Sequence, residues 1–138
     1  MSDGRLPVYT RRVEELRINV DPAAPRGVHL LRLEGPFTLR DIFDFQSLVR
    51  RVEIPLTIVD FTGVPYMDSA ALGSVMGLHA FCQRKHQKYA LTGCNDRLQT
   101  LFGVCGVDRT LILYPDVEAA LQALATDIAR ADAASGSR

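Results

Sequence analysis

The chain has 138 residues, 47% of them hydrophobic, which suits one domain that buries a single core without disulfide or metal staples. Lys+Arg and Asp+Glu both number 16, so the formal net charge is zero and no broad basic field is available for nucleic acid or an anionic membrane. Cys82, Cys94 and Cys105 form no C-x-x-C and no apolar run nears the roughly 18 residues of a membrane span, which points to reduced thiols in a cytoplasmic protein.

Residues 1–9 read as a loosely ordered leader. From Val13 to Val20 the apolar residues Leu16, Ile18 and Val20 alternate, the pattern of a half-buried strand. A turn cluster over 21–27 leads to a second strand over Val28–Glu34, expected antiparallel to the first because the connection is short. Between Leu39 and Arg51 the residues Leu39, Ile42, Phe43, Phe45, Leu48 and Val49 recur at three and four, with Val52 just beyond. This predicts an amphipathic helix with Thr38 as its cap, and a crossover long enough to return the chain parallel to the second strand.

Leu56–Asp60 is a β-branched run with the character of a strand buried on both faces, broken by Gly63 and Pro65. Asp68 or Ser69 then caps a helix over about Ser69–Gln83, with Leu72, Val75, Met76, His79 and Cys82 inward. Gly73 and Gly77, four apart, share a flank, which suggests close contact with the sheet or with another protein. A strand over Lys88–Gly93 and a helix capped by Asn95-Asp96 follow. That helix carries Leu98, Leu101, Phe102 and Val104, and Gly103 or Gly106 ends it. A last strand over Thr110–Tyr114 precedes a helix begun by Pro115-Asp116, with Val117, Ala120, Leu121, Leu124 and Ile128 inward. Residues 131–138 read as a disordered tail. The order ββαβαβαβα defines one α/β domain over residues 10–130: a mixed, mostly parallel sheet of four to five strands packed with about four helices.

Ser69 stands at the carboxyl end of a strand, where an α/β sheet usually meets its ligands and partners. Three uses of its hydroxyl are open: a plain helix cap, a hydrolase nucleophile, or a displayed modification site. The nucleophile lacks the G-x-S-x-G glycines and a base, since His79 lies ten residues, about 15 Å, along the same helix. Asp60 and Asp68 allow a paired-carboxylate or magnesium reading. The simpler one has Asp60 bonding loop N–H groups and Asp68 orienting the helix start. The scattered His29, His79 and His86 make no metal cluster, and no Gly-rich loop suggests a nucleotide, so neither metal nor cofactor is expected.

Asp60-Phe-Thr-Gly-Val64, then Tyr66-Met-Asp-Ser69 and Leu72-Gly73, resemble the signature of the STAS domain, the module of bacterial anti-sigma factor antagonists. The stretches Leu91-Thr-Gly-Cys-Asn-Asp-Arg-Leu-Gln-Thr-Leu-Phe102, Val104-Cys-Gly-Val-Asp108 and Tyr114-Pro-Asp-Val-Glu-Ala-Ala-Leu121 are similar to that family's second half. Ala71 stands where the family usually has glycine and is expected to add a methyl to the partner-facing surface. The resemblance implies that Ser69 is phosphorylated, and that Asp68, Ser69, Ala70, Ala71, Gly73, Ser74 and Gly77 bind the partner. It further implies that the partner is an anti-sigma factor and serine kinase with a histidine-kinase-like ATPase fold, that this kinase releases itself by phosphorylating Ser69, and that a serine phosphatase restores binding. The chain would then be ligand and substrate in a bacterial cytoplasm, not an enzyme. The alternative is a non-switching docking subunit of a stress-signalling scaffold or a lipid-transport ATPase complex.

Overall fold

A computed structural model gives the fold and describes residues 15–51 and 54–126. Five strands lie in sequence order across one sheet: β1 (Arg17–Val20), β2 (Val28–Glu34), β3 (Leu56–Gly63), β4 (Lys88–Thr92) and β5 (Leu113–Tyr114). β1 runs antiparallel to β2, and every later pair is parallel. The tight β1–β2 turn explains the first pairing. Asp21 accepts the Ala23 N–H at 2.9 Å, and Gly27 takes the left-handed φ of 86° that a side chain would resist. The parallel pairs are joined by α1 (Ile42–Arg51), α2 (Ser69–Lys85) and α3 (Asp96–Val104), and α4 (Val117–Ala123) closes the described chain.

β3 is central, and its first six residues are buried. The alternation of strand side chains divides the core in two. Leu31, Leu33, Val59, Phe61, Tyr89 and Leu91 point to α1, α2 and α3, where Phe37, Phe45, Val49, Val75, Leu98 and Phe102 complete the larger core. Val28, Leu30, Leu56, Ile58 and Ala90 point the other way and are covered by Ala120 and Leu124. The expected α/β architecture, helix count and parallel crossovers are thus present.

Several boundaries differ from the expectation. β1 begins at Arg17, and Val20 is exposed rather than half-buried, because β1 is an edge strand. The helix expected from Leu39 opens instead as a 3-10 turn over Leu39–Asp41, whose Asp41 carboxylate accepts from the Thr38 N–H at 2.9 Å, before α1 begins. Of its apolar residues among those described, only Phe45 and Val49 are buried. Leu39 is 63% and Phe43 77% exposed. β3 continues to Gly63, and the last strand shrinks to two residues. Val104 is exposed at the end of α3, and Gly106, at φ 73°, follows that end. The leader over 1–9, the tail over 131–138, Val13, Val52 and Ile128 lie outside the described residues.

Candidate functional site

β3 delivers the chain to the carboxyl edge of the sheet, and a short loop then turns it into α2. Phe37 and Met67 form an isolated parallel bridge, with Phe37 N–H donating to the Tyr66 carbonyl at 3.1 Å and Asp68 N–H to the Phe37 carbonyl at 3.2 Å. Asn95, the cap of α3, donates its side-chain amide to the carbonyls of Val64 at 3.2 Å and Pro65 at 3.3 Å. Arg97 lies over the Tyr66 ring, 5.2 Å from its centroid. The loop is therefore held from both sides before it reaches the serine.

Asp68 is the cap of α2, and both of its carboxylate oxygens are engaged. One accepts the Ala71 N–H at 2.8 Å; the other accepts the Leu39 N–H at 3.0 Å, tying the start of α2 to the 3-10 turn ahead of α1. Ser69 is consequently the first residue inside the helix rather than its cap. It is exposed, and its hydroxyl has no hydrogen-bond partner among the described residues. A hydroxyl held at the positive end of a 17-residue helix sits where backbone N–H groups and the helix dipole favour an anion.

The expected partner-binding residues separate by helical phase. Ser69 and Gly73 are exposed, and Ala70 and Gly77 are half-buried. An added Cβ at Gly73 would meet nothing within 4 Å, whereas one at Gly77 would lie 3.2 Å from an Arg50 guanidinium nitrogen and 3.9 Å from the Gln46 amide nitrogen. The glycine pair is thus one bare position and one packed against α1. Ala71 is wholly inaccessible and Ser74 is 2% exposed, so the expectation that they touch a partner is corrected. With Leu72, Val75, Leu78 and Cys82 they form the stripe that faces the sheet. The Ser74 hydroxyl donates to the Ala71 carbonyl at 2.6 Å, and the Ala71 methyl fills core rather than surface. Met76 and His79, expected inward, are only half-buried.

Asp60 does not bond loop N–H groups. It accepts from the hydroxyls of Thr92 at 2.7 Å and Thr62 at 2.9 Å, and from Arg32 at 3.3 Å. Local spacing carries no signal for either threonine or Arg32, because register alone brings Arg32, Asp60 and Thr92 side by side on β2, β3 and β4. Asp60 and Asp68 have separate hydrogen-bond partners. His79 shares a 2.8 Å hydrogen bond with the Tyr89 hydroxyl, and no group of three potential ligands forms a metal site among the described residues. Burial pushes the Cys82 thiol up to about 11. Burial, followed by the nearby Asp60 charge, pushes that of Cys94 up to about 12, so neither is a thiolate near neutrality. No helix among the described residues is long and apolar enough to cross a membrane.

The sequence model of the STAS domain matches residues 19–120, and the chain belongs to that family. Solved structures similar to it include an anti-sigma factor antagonist from Mycobacterium paratuberculosis, 18% identical, with 79% of this chain and 93% of that one covered and a TM-score of 0.67. A sulfate transporter family protein from Wolinella succinogenes is 21% identical, with 80% and 98% covered and a TM-score of 0.68. The Bacillus cell fate determinant SpoIIAA in its phosphorylated form is 15% identical, with 78% and 99% covered and a TM-score of 0.61. These likenesses establish a fold used by anti-sigma factor antagonists and by transporter-family proteins alike. A search of the curated proteins found no match.

Proposed function

We propose that the protein is an anti-sigma factor antagonist whose binding is switched off by phosphorylation of Ser69. The observation that carries this reading is the exposed Ser69 hydroxyl at the start of α2, left without a capping task because Asp68 performs it. A phosphoserine there adds nearly two negative charges and three acceptor oxygens at a helix N-terminus, which tolerates them, so the fold survives modification. The effect falls on the partner. A surface fitted to neutral Ser69 and bare Gly73 would have to desolvate a dianion, which disfavours the complex strongly.

In this reading the partner is a serine kinase with a histidine-kinase-like ATPase fold that acts as the anti-sigma factor, and a serine phosphatase reverses the modification. The chain itself catalyses nothing and works in a bacterial cytoplasm. Candidate ATPases of that fold, incubated singly with ATP and the chain, are read by intact mass and peptide mapping. Phosphate on Ser69, with loss of the complex, is the expected result. If Ser69 stays unmodified and Ser69→Asp binds as wild type does, the non-switching docking subunit replaces the switch.

A further inference from the structure

Leu39 and Phe43 are the unexplained feature of the 3-10 turn and the start of α1. They are four residues apart and 63% and 77% exposed, Leu39 on the 3-10 turn and Phe43 on α1, whose other face buries Phe45 and Val49. Their surroundings are defined by three contacts. The Leu39 N–H is held by Asp68, the residue before Ser69, at 3.0 Å. Further along, Gln46 and Arg50 face Gly77 of α2. Within α1, residues 43, 46 and 50 follow the three-four spacing of one helical stripe, and Leu39 precedes it on the 3-10 turn. α1 and α2 both connect parallel strands, so they run in the same direction. α1 therefore runs alongside α2 between the Leu39–Asp68 bond and the approach of Gln46 and Arg50 to Gly77, and Phe43 lies between those two contacts along the chain.

We propose that Leu39 and Phe43 are the apolar anchor by which the kinase-type ATPase grips the chain while Ser69 is the switch, an inference that rests on the reading of Ser69 above. A standard interface covers about 800 Å2 on each partner, a disc of roughly 16 Å radius. Leu39 is tied to the residue next to Ser69, and Phe43 lies one turn on, about 6 Å away. A footprint of that size centred on Ser69 reaches as far as Leu39, through its bond to Asp68, and Phe43 one turn beyond. Exposed aromatic side chains at the centre of such a footprint carry a large share of binding, provided the partner supplies an apolar pocket. The partner implied thus has an apolar pocket for Phe43 next to the site from which ATP reaches Ser69. Tyr66, 39% exposed under Arg97, marks the opposite, α3 side of the serine.

The test uses the full chain and the purified ATPase that phosphorylates Ser69 in the assay above. Leu39→Ser and Phe43→Ser are compared with Val104→Ser, an equally exposed apolar site at the end of α3. Either anchor variant should keep the wild-type melting temperature, weaken binding of the unphosphorylated chain about tenfold to a hundredfold, and raise the KM for Ser69 phosphorylation with kcat unchanged. Val104→Ser should change none of these. If Phe43→Ser binds as wild type does while wild type is phosphorylated on Ser69, the anchor is refuted and the switch stands. If wild type gains no phosphate on Ser69 from any candidate, the switch itself falls, and the anchor with it. If Phe43→Ser turns a dimer into a monomer by sedimentation without altering affinity for the ATPase, a second copy of the chain covers the patch and the proposal is overturned.

Discussion

Asp68 joins two elements through one carboxylate, accepting N–H groups from Ala71 and Leu39, and this division of labour leaves the Ser69 hydroxyl available. Removing the two residues should therefore have unequal consequences. Asp68→Ala leaves two backbone donors without their acceptor and is expected to cost about 1–2 kcal/mol in urea unfolding, whereas Ser69→Ala should stay within about 0.5 kcal/mol. A larger loss for Ser69→Ala than for Asp68→Ala would make the serine the structural residue and reverse the assignment. His29 is the other telling residue. It is 6% exposed, its Nδ1 has no partner among the described residues, and burial holds its pKa below the ordinary 6.5. The unfolded chain then binds a proton that the folded chain refuses. Stability is full above about pH 6.5 and falls as the pH drops from there toward the lowered folded value. Unfolding followed between pH 7.5 and 5 should show this fall in wild type and a flatter profile in His29→Leu.

At the scale of an element, α1 separates what periodicity shows from what it hides. Seven apolar residues between 39 and 52 cover more than half the circumference of a helix, so their spacing announces a helix without saying which arc is buried. Phe43 and Phe45 lie about 200° apart around the axis and cannot share a face. The sheet claims Phe45, whose ring sits 5.0 Å from that of Phe37. Phe45→Ala is accordingly expected to cost about 3–5 kcal/mol, and Phe43→Ala less than about 0.5 kcal/mol, by denaturant melts. Equal losses would mean that Phe43 is packed. α2 teaches the same lesson from the other side. Its inward arc takes in Ala71, Ser74, Leu78 and Phe81 along with Leu72, Val75 and Cys82, and small residues such as Ala71 and Ser74 carry too little hydrophobic signal to reveal that from sequence.

At the scale of the whole molecule, the described residues cover the sheet unequally, with three helices on one face and α4, Val117–Ala123, on the other. Among the described residues, those that build the two cores lie between Leu16 and Leu124, and we propose a domain over residues 10–130. A chain trimmed to those limits is expected to melt at the temperature of the full chain; a clear drop in the thermal midpoint would show that the leader or the tail belongs to the domain. Local chemistry within the sequence determined the order of elements, their types and the position of Ser69 at a helix start. Turn residues, caps and hydrophobic period act over a few neighbouring residues and can be read from one chain. Only tertiary structure decided the rest. It chose Asp68 over Ser69 as the cap, buried Ala71 and Ser74 while leaving Leu39 and Phe43 bare, and assembled Arg32, Thr62 and Thr92 around Asp60. Each of those outcomes depends on strand register and helix rotation, which are set by contacts between residues far apart in the chain and so leave no mark in local spacing.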